Sequence, residues 1–96
     1  MIKSFRDKDT ARVFAGRRAK KIPAEIVERA QAKLAILDGA ESLGELRQPP
    51  SNMLHKLSGD RAGQWAIRIN AQWRICFQFD DEAGDVEALE ISKHFE

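Results

Sequence analysis

The sequence predicts an α+β domain, with N-terminal helices packed on an antiparallel sheet of about four strands. Three observations carry that expectation. Apolar residues between Pro23 and Gly39 recur at helical spacing. From Trp65 onward they alternate, as in strands with one buried face. The change of period happens once, which sets the helices apart from the strands instead of interleaving them. A chain of 96 residues forms one domain, 1–96, with one modest core.

The elements follow in order. "MIKSF" reads as a short strand carrying Ile2 and Phe5. "DTARVFAG" reads as a short helix, with Asp9 as N-cap and Gly16 as stop. "RRAKK", residues 17 to 21, is a basic linker. Pro23 suits a first helical turn and Asp38-Gly39 an end. Between them Ile26, Val27, Ala30, Leu34 and Leu37 share one face, which marks a core-facing helix. "SLGEL" adds a helical turn before Pro49-Pro50 stops it. "MLHKLSG" is a short strand. Trp65, Ile67 and Ile69 mark the next, Trp73 to Phe79 a third, and Val86, Leu89 and Ile91 a weaker fourth. The acidic run from Asp80 to Gly84 is a turn.

The hairpin within "GQWAIRINAQWRICFQF" has a testable register. A two-residue loop would pair Ile69 with Arg74 and mix the faces. A three-residue loop, Asn70 to Gln72, pairs Ile69 with Trp73, Ile67 with Ile75 and Trp65 with Phe77, so that one face is wholly apolar. The same register sets Arg68 directly across from Arg74, a like-charge pair that costs about a few tenths of a kcal/mol when exposed. Their neighbours on that face, Ala66, Cys76 and Gln78, are small or polar, so the face is expected to be open. Two guanidinium forks on an open face suit a phosphate. Alternatively each arginine pairs with an acid such as Glu87 or Glu90.

The net charge of +1 conceals an asymmetry. Residues 1 to 21 hold eight bases against two acids, and residues 80 to 90 hold six acids and no base. This suits either an anionic partner at one face or a solvated surface. The single cysteine, Cys76, excludes an internal disulfide and fits a reducing compartment. No apolar run reaches membrane-spanning length and the N-terminus lacks a signal-peptide core, so a soluble cytoplasmic protein is expected.

The two histidines, His55 and His94, move protons near neutral pH, as acid–base catalysis requires. Beside two arginines they suit phosphodiester cleavage: one activates the attacking oxygen, one protonates the leaving oxygen, and the arginines hold the charged phosphorane. Taken alone, a lone histidine in a strand is more often structural. There is no zinc-ligand spacing, nucleotide-binding glycine loop or nucleophile elbow, so any enzyme here is expected to need no metal or cofactor.

"MIKSF", "LHKLSGDRAGQWAIRINAQWRICFQF" and a late "VEALEIS" followed by Lys93 and His94 together resemble the HigB toxins of the RelE/ParE superfamily, over nearly the whole chain. The resemblance implies a ribosome-dependent endoribonuclease that cuts mRNA in the A site by 2′-hydroxyl attack, without metal. It implies as partners a HigA-type helix-turn-helix antitoxin, the ribosome with its mRNA, and operator DNA reached only through the antitoxin complex. It carries catalytic roles onto His55, Arg74 and His94, and phosphate binding onto Arg68, with Lys56 and Lys93 as further RNA contacts. The family usually has an acid and a tyrosine before the last histidine, where this chain has Ser92 and Lys93. That departure leaves open a weak or inactive member serving as an antitoxin-binding co-repressor. Gyrase inhibition, as in ParE-type relatives, is the remaining alternative, and those toxins usually lack these histidines.

Overall fold

The computed structural model describes residues 1–93. Helix α1 spans Lys8–Phe14 and α2 spans Ala24–Gly39. Three 3₁₀ turns follow, at Leu43–Arg47, Pro50–Asn52 and Gly59–Arg61. The strands are β1 (His55–Lys56), β2 (Trp65–Arg68), β3 (Trp73–Asp80) and β4 (Asp85–Lys93). They form one antiparallel sheet in the order β1-β2-β3-β4, as expected.

Helix α2 buries Ile26, Ala30, Leu34 and Leu37, and Val27 packs at its margin. These meet Ile67, Ile75, Phe77, Val86 and Leu89 from one face of the sheet. Burying each such side chain stabilises the fold by about 1.5–3 kcal/mol before entropy is charged. The helix ends where Ala40 turns to extended backbone.

The N-cap of α1 is Asp7, not Asp9. Asp7 is extended (φ −139°, ψ 164°) and its Oδ1 accepts from the Thr10 amide at 2.8 Å. Asp9 already lies inside the first turn, where a carboxylate favours the positive end of the helix, and it stands 4.0 Å from Arg12. Gly16 ends the helix as expected, at φ +78°.

"MIKSF" forms isolated bridges and not a full strand. Ile2 and Phe5 lie parallel to Val86 and Leu89 of β4. The Lys3 and Arg6 amides donate to the Val86 and Leu89 carbonyls at 2.8 and 2.7 Å, and the Val86 amide donates back to Met1. Two side chains complete the seal: Ser4 Oγ accepts from the Ala88 amide, and buried Thr10 Oγ1 accepts from the Ile91 amide, each at 2.9 Å. The outer edge of β4 is thereby occupied. A bulge lies within β4, where three steps from Glu87 to Glu90 face two steps from Cys76 to Gln78, and Ala88 takes φ +54°.

This docking also brings the basic N-terminal segment against the acidic strand. The terminal ammonium lies 4.0 Å from Asp85, and Arg6 Nε lies 4.0 Å from Glu90. Part of the charge asymmetry is thus met within the chain. Among the described residues, no helix is long and apolar enough to cross a membrane.

Thr10→Val keeps the shape of the side chain and leaves the buried Ile91 amide without its acceptor. Stability in urea unfolding is expected to fall by about 1–3 kcal/mol, with an unchanged dependence on denaturant.

Candidate active site

The hairpin adopts the three-residue loop. Trp65 faces Phe77, Ile67 faces Ile75 and Arg68 faces Arg74. The Ile69 amide donates to the Trp73 carbonyl at 2.9 Å. Asn70 explains why the loop closes this way: its Oδ1 accepts from the Gln72 and Trp73 amides, both at 2.8 Å.

Antiparallel partners share a face, so the pairings sort the side chains. His55 pairs with Ala66, Ala66 with Cys76, Arg68 with Arg74, and Arg74 with Ser92. This face lies opposite the helices. Around this face and the adjoining hairpin loop, Met53, His55, Arg68, Asn70, Ala71, Trp73 and Arg74 line a concavity of about 200 Å³. The structure therefore brings together three residues expected at the site: His55, Arg68 and Arg74.

The expectation of a fully open face is corrected. Arg68 is exposed, but Arg74 is 7% exposed, and Ala66 and Cys76 are fully buried. The turn Gly59–Arg61 brings a third arginine to Arg74, and the two line a neighbouring hollow with Leu57, Ser58 and Asp60. Arg61 Nη2 donates to Glu90 at 3.0 Å and Nη1 donates to Gln64 at 3.1 Å. Glu90, one of the acids expected to answer Arg68 or Arg74, is thus engaged by Arg61, with Arg6 at 4.0 Å.

His55 is exposed, and its Nδ1 lies 2.9 Å from the Met53 carbonyl. A carbonyl only accepts, so Nδ1 carries the hydrogen in the neutral ring. The lone pair is then at Nε2, the nitrogen able to take a proton. Met53 is in the left-handed region (φ +48°), and its Sδ lies 3.3 Å from Arg68 Nη1. One residue thus contacts both side chains.

The remaining expected residues sit elsewhere. Lys56 pairs with Trp65, one step from His55 and so on the helix-facing side, with its ammonium 5.6 Å from the indole centroid. Lys93 pairs with Trp73 on that same side, at 5.8 Å from its ring. Both are cation–π contacts. Ser92 stands across from Arg74. His94 lies outside the described residues. Arg61 is the residue that sequence reasoning missed, although it stands in the quoted "GDR" with a charge matching its neighbours across the sheet. Among the described residues, no group of three or more His, Cys, Asp or Glu side chains is placed to hold a metal.

Cys76 lies on this face among Arg74, Arg61 and Glu90. Burial pushes its thiol above the usual value, and the two arginines oppose that shift less strongly.

The four-stranded antiparallel sheet with helices on one face has the RelE-like α+β fold. Over 99% of both chains it superposes on the YoeB–YefM complex from Staphylococcus aureus, with a TM-score of 0.60 at 14% identity. It also superposes on the toxin–antitoxin complex RelBE2 from Mycobacterium tuberculosis, with a TM-score of 0.54 at 19% identity, over 98% of this chain and 96% of that one. Residues 3–94 match the family model described as HigB-like toxin, the RelE-like toxin of type II toxin–antitoxin system HigB. Endoribonuclease HigB of Proteus vulgaris is 42% identical over 79 residues, 82% of this chain and 85% of that protein. Toxin HigB-1 of Vibrio cholerae is 37% identical over 82 residues, 84% and 86% of the two chains. The chain belongs to the HigB-like toxin family.

The raised Cys76 value has a consequence for pH. Stability from the neutral thiol is full below the ordinary thiol value and is lost as pH rises through the raised one. Labelling by iodoacetamide at mildly alkaline pH is expected to be slow in the folded protein and fast in denaturant. Equal rates in the two states would contradict the burial of this thiol.

Proposed function

We propose that this toxin is an endoribonuclease that cuts mRNA in the ribosomal A site. The observation that supports it most is the convergence of His55, Arg68 and Arg74 on one concavity. The similarity to a protein named Endoribonuclease HigB supports the same reaction class.

The chemistry follows from the side chains. The 2′-hydroxyl of the nucleotide before the cut gives its proton to His55 Nε2 and attacks the adjacent phosphorus. The phosphorus–5′-oxygen bond breaks, leaving a 2′,3′-cyclic phosphate on one product. The departing 5′-oxygen takes a proton, a role assigned here to His94. Arg68 and Arg74 hold the non-bridging oxygens, where charge builds up in the transition state. No step requires a metal. In this reading Lys56 and Lys93 touch backbone phosphates outside the reacting centre, since their neighbours are the two tryptophans. The ribosome supplies the alignment of a flexible message that so shallow a site lacks.

The partner is a HigA-type helix-turn-helix antitoxin, through which the toxin reaches operator DNA. The compartment is the cytoplasm, where translating ribosomes are. One observation favours a second reading. Ser92 stands across from Arg74 at a position where the resemblance implies an acid. A weak or inactive toxin acting as antitoxin-binding co-repressor would fit that change.

Two outcomes decide between them. Expression of the toxin alone is expected to arrest growth, and 5′-end mapping on programmed ribosomes should show cuts within the A-site codon. Intact message alongside tight antitoxin binding would select the co-repressor. Within the nuclease reading, His55→Ala is expected to slow single-turnover cleavage by about 10²–10⁴-fold. Arg74→Ala should slow it by about 10²–10³-fold and relieve the arrest.

A further inference from the structure

Beside the candidate site lies a broader hollow of about 570 Å³, lined by Arg29 and Lys33 of α2 and by Arg68, among others. It shares Met53, Arg68, Asn70 and Ala71 with the concavity that holds His55 and Arg74. The two are neighbouring parts of one surface, with Arg68 as their common wall.

The three cations are held in place by neutral groups. Arg29 Nη1 donates to the Ile69 carbonyl at 3.3 Å. Lys33 Nζ donates to Asn52 Oδ1. Asn52 is buried, and its amide nitrogen donates to the Leu46 and Gln48 carbonyls at 3.1 Å each, which aims its oxygen at Lys33. Arg68 contacts Met53 Sδ. Among the described residues, none of the three cations forms an ion pair. Arg29 and Lys33 are one turn apart, and like charges at that spacing disfavour a helix by about 0.2–0.5 kcal/mol. Burial and the nearby Arg29 both push the Lys33 ammonium below its usual value. An anion in the hollow would remove the repulsion that the fold leaves standing.

We infer that Arg29 and Lys33 form a second phosphate subsite, which takes a backbone phosphate of single-stranded RNA next to the one held at Arg68 and Arg74. The inference rests on the nuclease reading of the neighbouring concavity. A polynucleotide is favoured over an acidic protein segment because its charges recur along one strand and the two basic hollows are contiguous. These side chains position the strand without reading bases, so the subsite serves every sequence alike.

The test uses a labelled 2′-O-methyl RNA oligonucleotide, which cannot be cleaved, with binding followed by fluorescence anisotropy over a range of salt. The full-length toxin is compared with Arg29→Gln, Lys33→Gln and the double variant, and thermal melting checks the fold of each. Glutamine keeps a donor for Ile69 or Asn52. The double variant is expected to bind more weakly whatever the RNA sequence. Its plot of log affinity against log salt should be shallower by about 0.7, the value for one single-strand phosphate that is no longer neutralised. Should Lys33→Gln unfold the chain, Arg29→Gln alone is expected to show half that change. An unchanged slope and affinity overturns the inference, as does failure of the wild type to bind the oligonucleotide. Loss of antitoxin binding with RNA binding intact also overturns it and assigns the hollow to a protein partner. If the wild type binds with the expected slope but leaves ribosome-bound message uncut, the subsite stands and the nuclease reading fails.

Discussion

The pairing of Ile67 with Ile75 across the hairpin is the constraint on which the rest of the molecule depends. It puts every large apolar side chain of the two strands toward α2 and leaves Arg68 and Arg74 on the other side. A slip of one residue would send both guanidiniums into the core, where unpaired charge is far costlier than the cross-strand repulsion they accept now. The Asn70 side chain closes the loop with two hydrogen bonds. A core requirement and a turn residue thus place the cations, and no contact between the cations themselves is needed.

The edges of the sheet are handled differently. β4 is sealed by the first six residues and by the hydroxyls of Ser4 and Thr10. The turn after β4's partner is held by Asp80 Oδ1, which accepts from the Glu82 and Ala83 amides. Gly84 there has φ +70°, and a side chain would come within 3.1 Å of the Glu41 carbonyl. This corner joins the sheet to the segment leaving α2. β1, by contrast, is two residues long, flanked by left-handed Met53 and the turn at Gly59, and it delivers His55 to the rim of the concavity.

Local pattern made much of this legible. The face of α2, the three-residue loop and the opposition of Arg68 and Arg74 all follow from spacing. Asp7 displaced Asp9 as cap because two acids two residues apart look alike until backbone dihedrals choose between them. The parallel bridges of Ile2 and Phe5 join residues more than eighty positions apart, and no short-range signal announces them. The placing of Arg61 beside Arg74 goes with a hydrogen bond to Glu90 that spans 29 positions, which no local pattern announces. The orientation of Lys56 was available from strand alternation, since a neighbour of His55 must face the other way. Arg29 and Lys33 gave no signal, because the polar face of a core helix normally meets only water.

The unequal burial of the two central arginines has an entropic consequence. Arg74 is nearly enclosed, so its rotamer is chosen when the chain folds. Arg68 is exposed and steadied mainly by a soft thioether. Ordering a long side chain of this kind costs about 1.5–2 kcal/mol. In the proposed reading, an anion entering the concavity would meet one guanidinium whose ordering is already complete and another that must give up its freedom on arrival. The first would set where the anion stops, and the second would adapt to it.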